Sequence, residues 1–67
     1  MNLSEQIKTQ RLNNNLTQLD VCKALNLNSV MTVSNWENNR SKPALKQLLS
    51  MVEKLGFCFD LRGIRLF

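Results

Sequence analysis

Sixty-seven residues with a net charge of +4 and a sequence pI near 9.6 bound the protein to one small domain whose charge suits a polyanionic partner. The chain has no histidine, and its two cysteines, Cys22 and Cys58, stand far apart, which leaves neither a disulfide framework nor a zinc site of protein ligands. A domain this small buries only about 60% of its unfolded surface, so a second copy of the chain is the expected support. No apolar run approaches the ~20 residues of a membrane span, and the N-terminus is polar from Ser4 onward, unlike a secretory signal. A cytoplasmic protein with reduced thiols is expected.

The first helix is predicted from about Ser4 to Asn13, with Ser4 as its cap and Glu5 in its first turn. Leu3 and Ile7 share a face with Gln10 or Arg11, a thin apolar stripe that relies on tertiary packing. Asn13-Asn14-Asn15 reads as a turn. The second helix is expected to begin at Thr17, where Thr17 and Asp20 approximate a capping box. Val21, Cys22 and Leu25 follow at helical spacing, with Cys22 as a small buried hydrophobe. Asn26 stands where a left-handed C-terminal residue is wanted, and Leu27 plugs the turn.

Asn28 or Ser29 is expected to cap the third helix, which runs to about Asn38. Val33 and Trp36 face inward, and Met31, Thr32, Asn35 and one side of Ser29 face outward. Met and Thr beside Asn are odd on a plain solvated face and make sense on one that meets base edges. Residues 38–42 form a polar, basic loop, and Pro43 sits at or next to the first turn of a fourth helix. Leu45, Leu48, Leu49, Val52 and Leu55 form the stripe of that helix, and Gly56 ends it.

The tail changes period. Phe57, Phe59 and Leu61 alternate with Cys58, Asp60 and Arg62 as in a strand. Gly63 shifts the parity, as a bulge or turn does, so that Ile64 and Leu66 follow. A lone strand cannot satisfy its own backbone groups. It either forms a hairpin through Gly63 or pairs with the same strand of a second chain. The division expected is residues 1–56 as the helical domain and 57–67 as a strand segment serving dimerisation.

In order along the chain, Ile7-Lys8 and Arg11, Leu16-Thr17-Gln18, Val21-Cys22, Leu25-Asn26-Leu27, Val33-Ser34, Trp36-Glu37, Pro43, Leu45, Leu48 and Leu49 resemble the Cro/C1-type (XRE) helix-turn-helix family. The likeness covers Ile7 to Leu55. Asn26 replaces the family's usual Gly, Cys22 its usual small residue, and one extra residue separates the turn from Val33. The fold class implied is all-α in the main: a compact four-helix, lambda-repressor-like domain with a short C-terminal β-strand or hairpin.

The resemblance implies roles. Ser29, Val30, Met31, Thr32 and Asn35 are the expected base readers. Thr17, Gln18, Asn38, Asn39, Arg40 and Lys42 are the expected phosphate contacts, with Gln18 also bracing the recognition helix. Arg11 and Glu37 are expected to pair internally, and Trp36 to be core rather than a stacking reader. Phe57, Phe59 and Leu61 are core or dimer interface. Lys8, Lys23, Lys46 and Lys54 read as solvated.

The function implied is a bacterial or phage-encoded repressor, binding a roughly palindromic double-stranded operator as a homodimer. The alternative is an antitoxin that neutralises a protein toxin and autoregulates its operon, since the tail resembles HipB-type antitoxins. A Cro-like phage repressor and a restriction–modification controller fit equally. An enzyme has no support: there is no Gly-rich phosphate loop, no usefully spaced carboxylate pair and no base near Cys58. No cofactor, metal or small-molecule substrate is expected.

Overall fold

The computed structural model describes residues 2–59. Four helices follow in chain order: α1 (Leu3–Asn13), α2 (Gln18–Ala24), α3 (Met31–Glu37) and α4 (Leu45–Leu55). The all-α expectation holds for these residues, none of which is in a strand. Residues 57–59 are neither helix nor strand, and the rest of the predicted strand, including Leu61 and Gly63, lies outside the described residues.

Three helices stop in the same way. Each is followed by an asparagine in the left-handed region: Asn15 at φ 57°, Asn26 at φ 55° and Asn39 at φ 59°. The amide of the next residue reaches back to a carbonyl five residues earlier: Leu16 to Arg11 at 3.0 Å, Leu27 to Cys22 at 3.0 Å and Arg40 to Asn35 at 2.9 Å. The asparagine amides close the inner bonds to Leu12, Lys23 and Trp36. These are Schellman closures, which satisfy carbonyls that a helix end leaves without partners. Asn tolerates the conformation because its short polar side chain offsets part of the Cβ penalty. At the end of α4 the left-handed residue is Gly56.

The helix starts differ in detail from the prediction. Asn2, not Ser4, caps α1, its side-chain oxygen accepting the Glu5 amide at 2.9 Å. Starting at Leu3 puts Leu3 and Ile7 on one helical face, and Ser4 falls inside the first turn. There its buried hydroxyl donates to Asn39 Oδ1 at 3.2 Å. The Thr17–Asp20 capping box forms in full: the Asp20 amide donates to Thr17 Oγ1 at 3.0 Å and the Thr17 amide to Asp20 Oδ2 at 2.8 Å. Helix α3 begins at Met31, later than the predicted cap, because the extra residue is taken up in a turn over Ser29 and Val30. Ser29 Oγ accepts the Met31 amide at 3.2 Å, and the Ser29 carbonyl accepts the Thr32 amide at 3.1 Å. Pro43 lies buried just ahead of α4, where its missing N–H costs nothing. The Ala44 amide donates to Gln47 Oε1 at 2.8 Å.

The core consists of Leu3 and Ile7 from α1, Val21 and Cys22 from α2, Val33 and Trp36 from α3, Leu48 and Met51 from α4, and Phe57. Helix α3 packs on α1 and α2, and α4 on α2. Cys22 is a free buried thiol that donates to the Leu27 carbonyl at 3.4 Å. The predicted α4 stripe is wider than the face the core can cover. Leu48, Met51 and the half-buried Leu55 turn inward, while Leu45, Leu49 and Val52 stay 52%, 53% and 43% exposed. Phe57 closes the bottom of the core, and Phe59 meets it edge to face at 6.1 Å.

Candidate nucleic-acid interface

The third helix is fixed at its far end by a polar junction of three helices. Arg11 Nε donates to Glu37 Oε2 at 2.7 Å, and Nη2 donates to Oε1 at 3.1 Å. Arg11 Nη1 donates to the Leu16 carbonyl at 2.9 Å, and Gln18 Nε2 donates to Glu37 Oε1 at 3.2 Å. The paired side chains are only 11% and 3% exposed. A forked guanidinium on a carboxylate fixes direction as well as distance, so α3 is held against the start of α2 and the end of α1. The ion pair expected between Arg11 and Glu37 is present, and Gln18 braces α3 through the same carboxylate.

Helix α3 divides cleanly in two. Val33 is fully buried and Trp36 is 3% exposed, so the tryptophan is core. On the other side, Ser29 is exposed, Val30 and Met31 are 37% and 53% exposed, and Thr32 and Asn35 are half-buried. The five residues expected to read bases therefore share the outer side of α3 and the turn that enters it. Inward Val33 and Trp36 set the rotation of the helix and hence which residues remain outside.

The expected phosphate contacts flank this surface. Thr17 is exposed at the start of α2, and Gln18 is half-buried beside Glu37. Asp20, in the first turn of α2, is held below its ordinary value near 3.8 first by the Thr17 amide that donates to its carboxylate and then by the neighbouring Thr17 hydroxyl. Beyond α3, Asn38, Asn39, Arg40 and Lys42 are all exposed. Two of them also serve the fold. Asn38 Nδ2 donates to the Ser34 carbonyl at 2.8 Å, and Asn39 accepts from Ser4 while holding the left-handed closure. Arg40 and Lys42 supply the positive charge of the loop.

The Ser4–Asn39 link, which ties the start of α1 to the loop after α3, has no local signal in the sequence. The same holds for the Cys58 amide donating to Gln10 Oε1 at 3.2 Å, which ties the chain after α4 to α1. Both join residues far apart in sequence. Of the predicted tail contacts, Phe57 is 2% exposed and belongs to the protomer's own core, Phe59 is half-buried, and Leu61 lies outside the described residues.

A braced pair of short helices, the second carrying an uncovered outer face beside a basic loop, defines a helix-turn-helix DNA-binding domain. A family model described as helix-turn-helix matches residues 7–58. The chain belongs to the Cro/C1-type (XRE) helix-turn-helix family, whose members are DNA-binding transcription regulators. No curated protein and no solved structure matches the chain. The family defines a regulatory domain that binds double-stranded DNA. No helix among the described residues is long and apolar enough to cross a membrane.

Proposed function

We propose that the protein is a sequence-specific transcriptional repressor that binds a roughly palindromic operator as a homodimer. Each protomer lays α3 in the major groove of one half-site, and the half-sites are about one helical turn apart. The observation that carries the reading is the uncovered side of α3, from Ser29 to Asn35, on a helix fixed by the buried Arg11–Glu37–Gln18 junction. Asn35 is the adenine reader, and Arg40 and Lys42 hold phosphates, joined by Thr17, Gln18, Asn38 and Asn39.

The dimer reading draws support from α4. Leu45, Leu49 and Val52 stand exposed beside Phe57, Cys58 and Phe59 around an apolar groove of about 260 Å³. A contiguous apolar patch on a domain this small marks an interaction site, and the face of a second copy satisfies it without another partner. The antitoxin alternative rests on the small size of the chain and on the strand-like tail from Phe57, most of which lies outside the described residues.

The test compares operator and scrambled duplex. Asn35→Ala should lose about 1–3 kcal/mol of discrimination at one base pair, and Arg40→Ala should weaken both duplexes alike and reduce the salt dependence. An unchanged operator-to-scrambled ratio for Asn35→Ala would remove Asn35 from the reading surface.

A further inference from the structure

Between Lys23 and Arg40 the chain has no Lys or Arg, and its only charged residue is Glu37. The Glu37 side chain is 3% exposed and engaged by Arg11 and Gln18. The whole outer side of α3 and its entry turn is therefore uncharged, and the cations stand beyond it at Arg40 and Lys42. In the major groove, guanine is most often read by Arg or Lys donating to O6 and N7, adenine by an Asn or Gln amide, and the thymine methyl by apolar contact. This face has nothing of the first kind. It offers Val30 and Met31, 37% and 53% exposed, with the Thr32 methyl and the Asn35 amide beside them. Two large apolar side chains left in water on a surface bounded by a basic loop call for an apolar counterpart on a polyanion. In a DNA groove that counterpart is the C5 methyl of thymine.

We infer that the half-site is read through A·T pairs. Thymine methyls pack against Met31 and Val30, Asn35 holds an adenine, and α3 makes no arginine–guanine contact. Affinity and sequence choice are thereby separated along the chain: Arg40 and Lys42 give binding that ignores sequence, and the neutral face gives the choice. The inference rests on α3 being the base-reading helix.

The test starts from selection of binding sites out of random duplex DNA with the full chain. Each thymine of the enriched half-site is then replaced by deoxyuridine, which removes only the C5 methyl. Positions facing α3 should be A·T, and single replacements at one or two of them should weaken binding roughly fourfold, the fold-change equal to about 0.8 kcal/mol for one buried methyl-sized group. Met31→Ala should abolish the methyl effect at one position without lowering the melting temperature. Arg40→Ala should weaken every duplex and keep the effect. A G·C half-site, or equal binding to thymine and deoxyuridine duplexes, overturns the inference and leaves the operator reading standing. Failure to enrich any sequence overturns both.

Discussion

Where α1, α2 and α3 meet, the charge that goes below the surface is matched inside the chain: Glu37 has Arg11 and Gln18, and Arg11 also has the Leu16 carbonyl. Among the described residues no buried side-chain nitrogen or oxygen lacks a partner. Helix α4 is built the other way. Its inner row completes the core, and its outer row, Leu45, Leu49 and Val52, faces solvent with no covering residue among those described. The first region is complete within the chain and holds the outer side of α3 at a fixed angle. The second has apolar surface left over, and a small domain gains most from burying it against another chain.

Breaking the polar junction should have the largest effect. Glu37→Ala leaves Arg11 nearly buried without its carboxylate, and the loss of one partner of a buried pair costs about 3–5 kcal/mol. Urea unfolding should show that drop, and replacing both partners, Arg11→Met with Glu37→Leu, should restore most of it. A loss of only a few tenths would mean that the junction is solvated in effect and does not fix α3.

Next comes the open face. A fully buried Leu contributes about 1.5–3 kcal/mol, so Leu49→Asp should raise the dimer dissociation constant at least tenfold in sedimentation equilibrium. The monomer should melt no lower than the monomeric form of the parent. Unfolding without dissociation would make the α4 face part of the protomer's own core and erase the contrast.

A smaller effect is expected at the turn between α2 and α3. An Ala at Asn26 must take φ near 55°, which costs an ordinary L-residue about 1–2 kcal/mol. Asn26→Ala should lower stability, by an amount reduced by what Asn itself already loses there, and Asn26→Gly should match or exceed the parent. Equal melting of all three would show that the turn is not held in the left-handed form.

The smallest effect belongs to Asp20. Its carboxyl is held below its ordinary value by the Thr17 amide and then by the Thr17 hydroxyl. A group whose folded-state pKa is depressed contributes stability above its unfolded value, and that contribution disappears as pH falls through the folded value. Melting temperatures of the parent and Asp20→Asn should therefore differ at pH 6 and converge below about pH 4. A difference that persists at the lowest pH would have another source.

The helices and the outer side of α3 were legible because they rest on local signals. Thr17 and Asp20 stand three apart, Asn26 follows a helical run, and Val33 with Trp36 fixes which side of α3 points in. Signals that depend on what lies opposite were not legible. Ser4 and Asn2 are both good caps, and only the burial of Leu3 and Ile7 on one face decides for Asn2. The second role of Asn39, accepting the Ser4 hydroxyl at its side-chain oxygen while its side-chain amide nitrogen stays available to a phosphate, has no local signal because Ser4 is distant in sequence. On α4 a stripe of five apolar residues was visible, but the split into covered and uncovered rows is set by how much area α2 and Phe57 can cover. Met51, the fully buried residue of that helix, stands out less in the sequence than its regularly spaced leucine neighbours.

Helix α3 should meet DNA and α4 should not. Titrating the isotope-labelled full chain with its selected operator, and following backbone amide shifts, separates the two faces in one experiment. The largest changes are expected at Ser29 to Thr32, Asn35, Arg40 and Lys42, with Leu45, Leu49 and Val52 unmoved at protein concentrations above the dimer dissociation constant. Large shifts along α4 with α3 unchanged would overturn this placement.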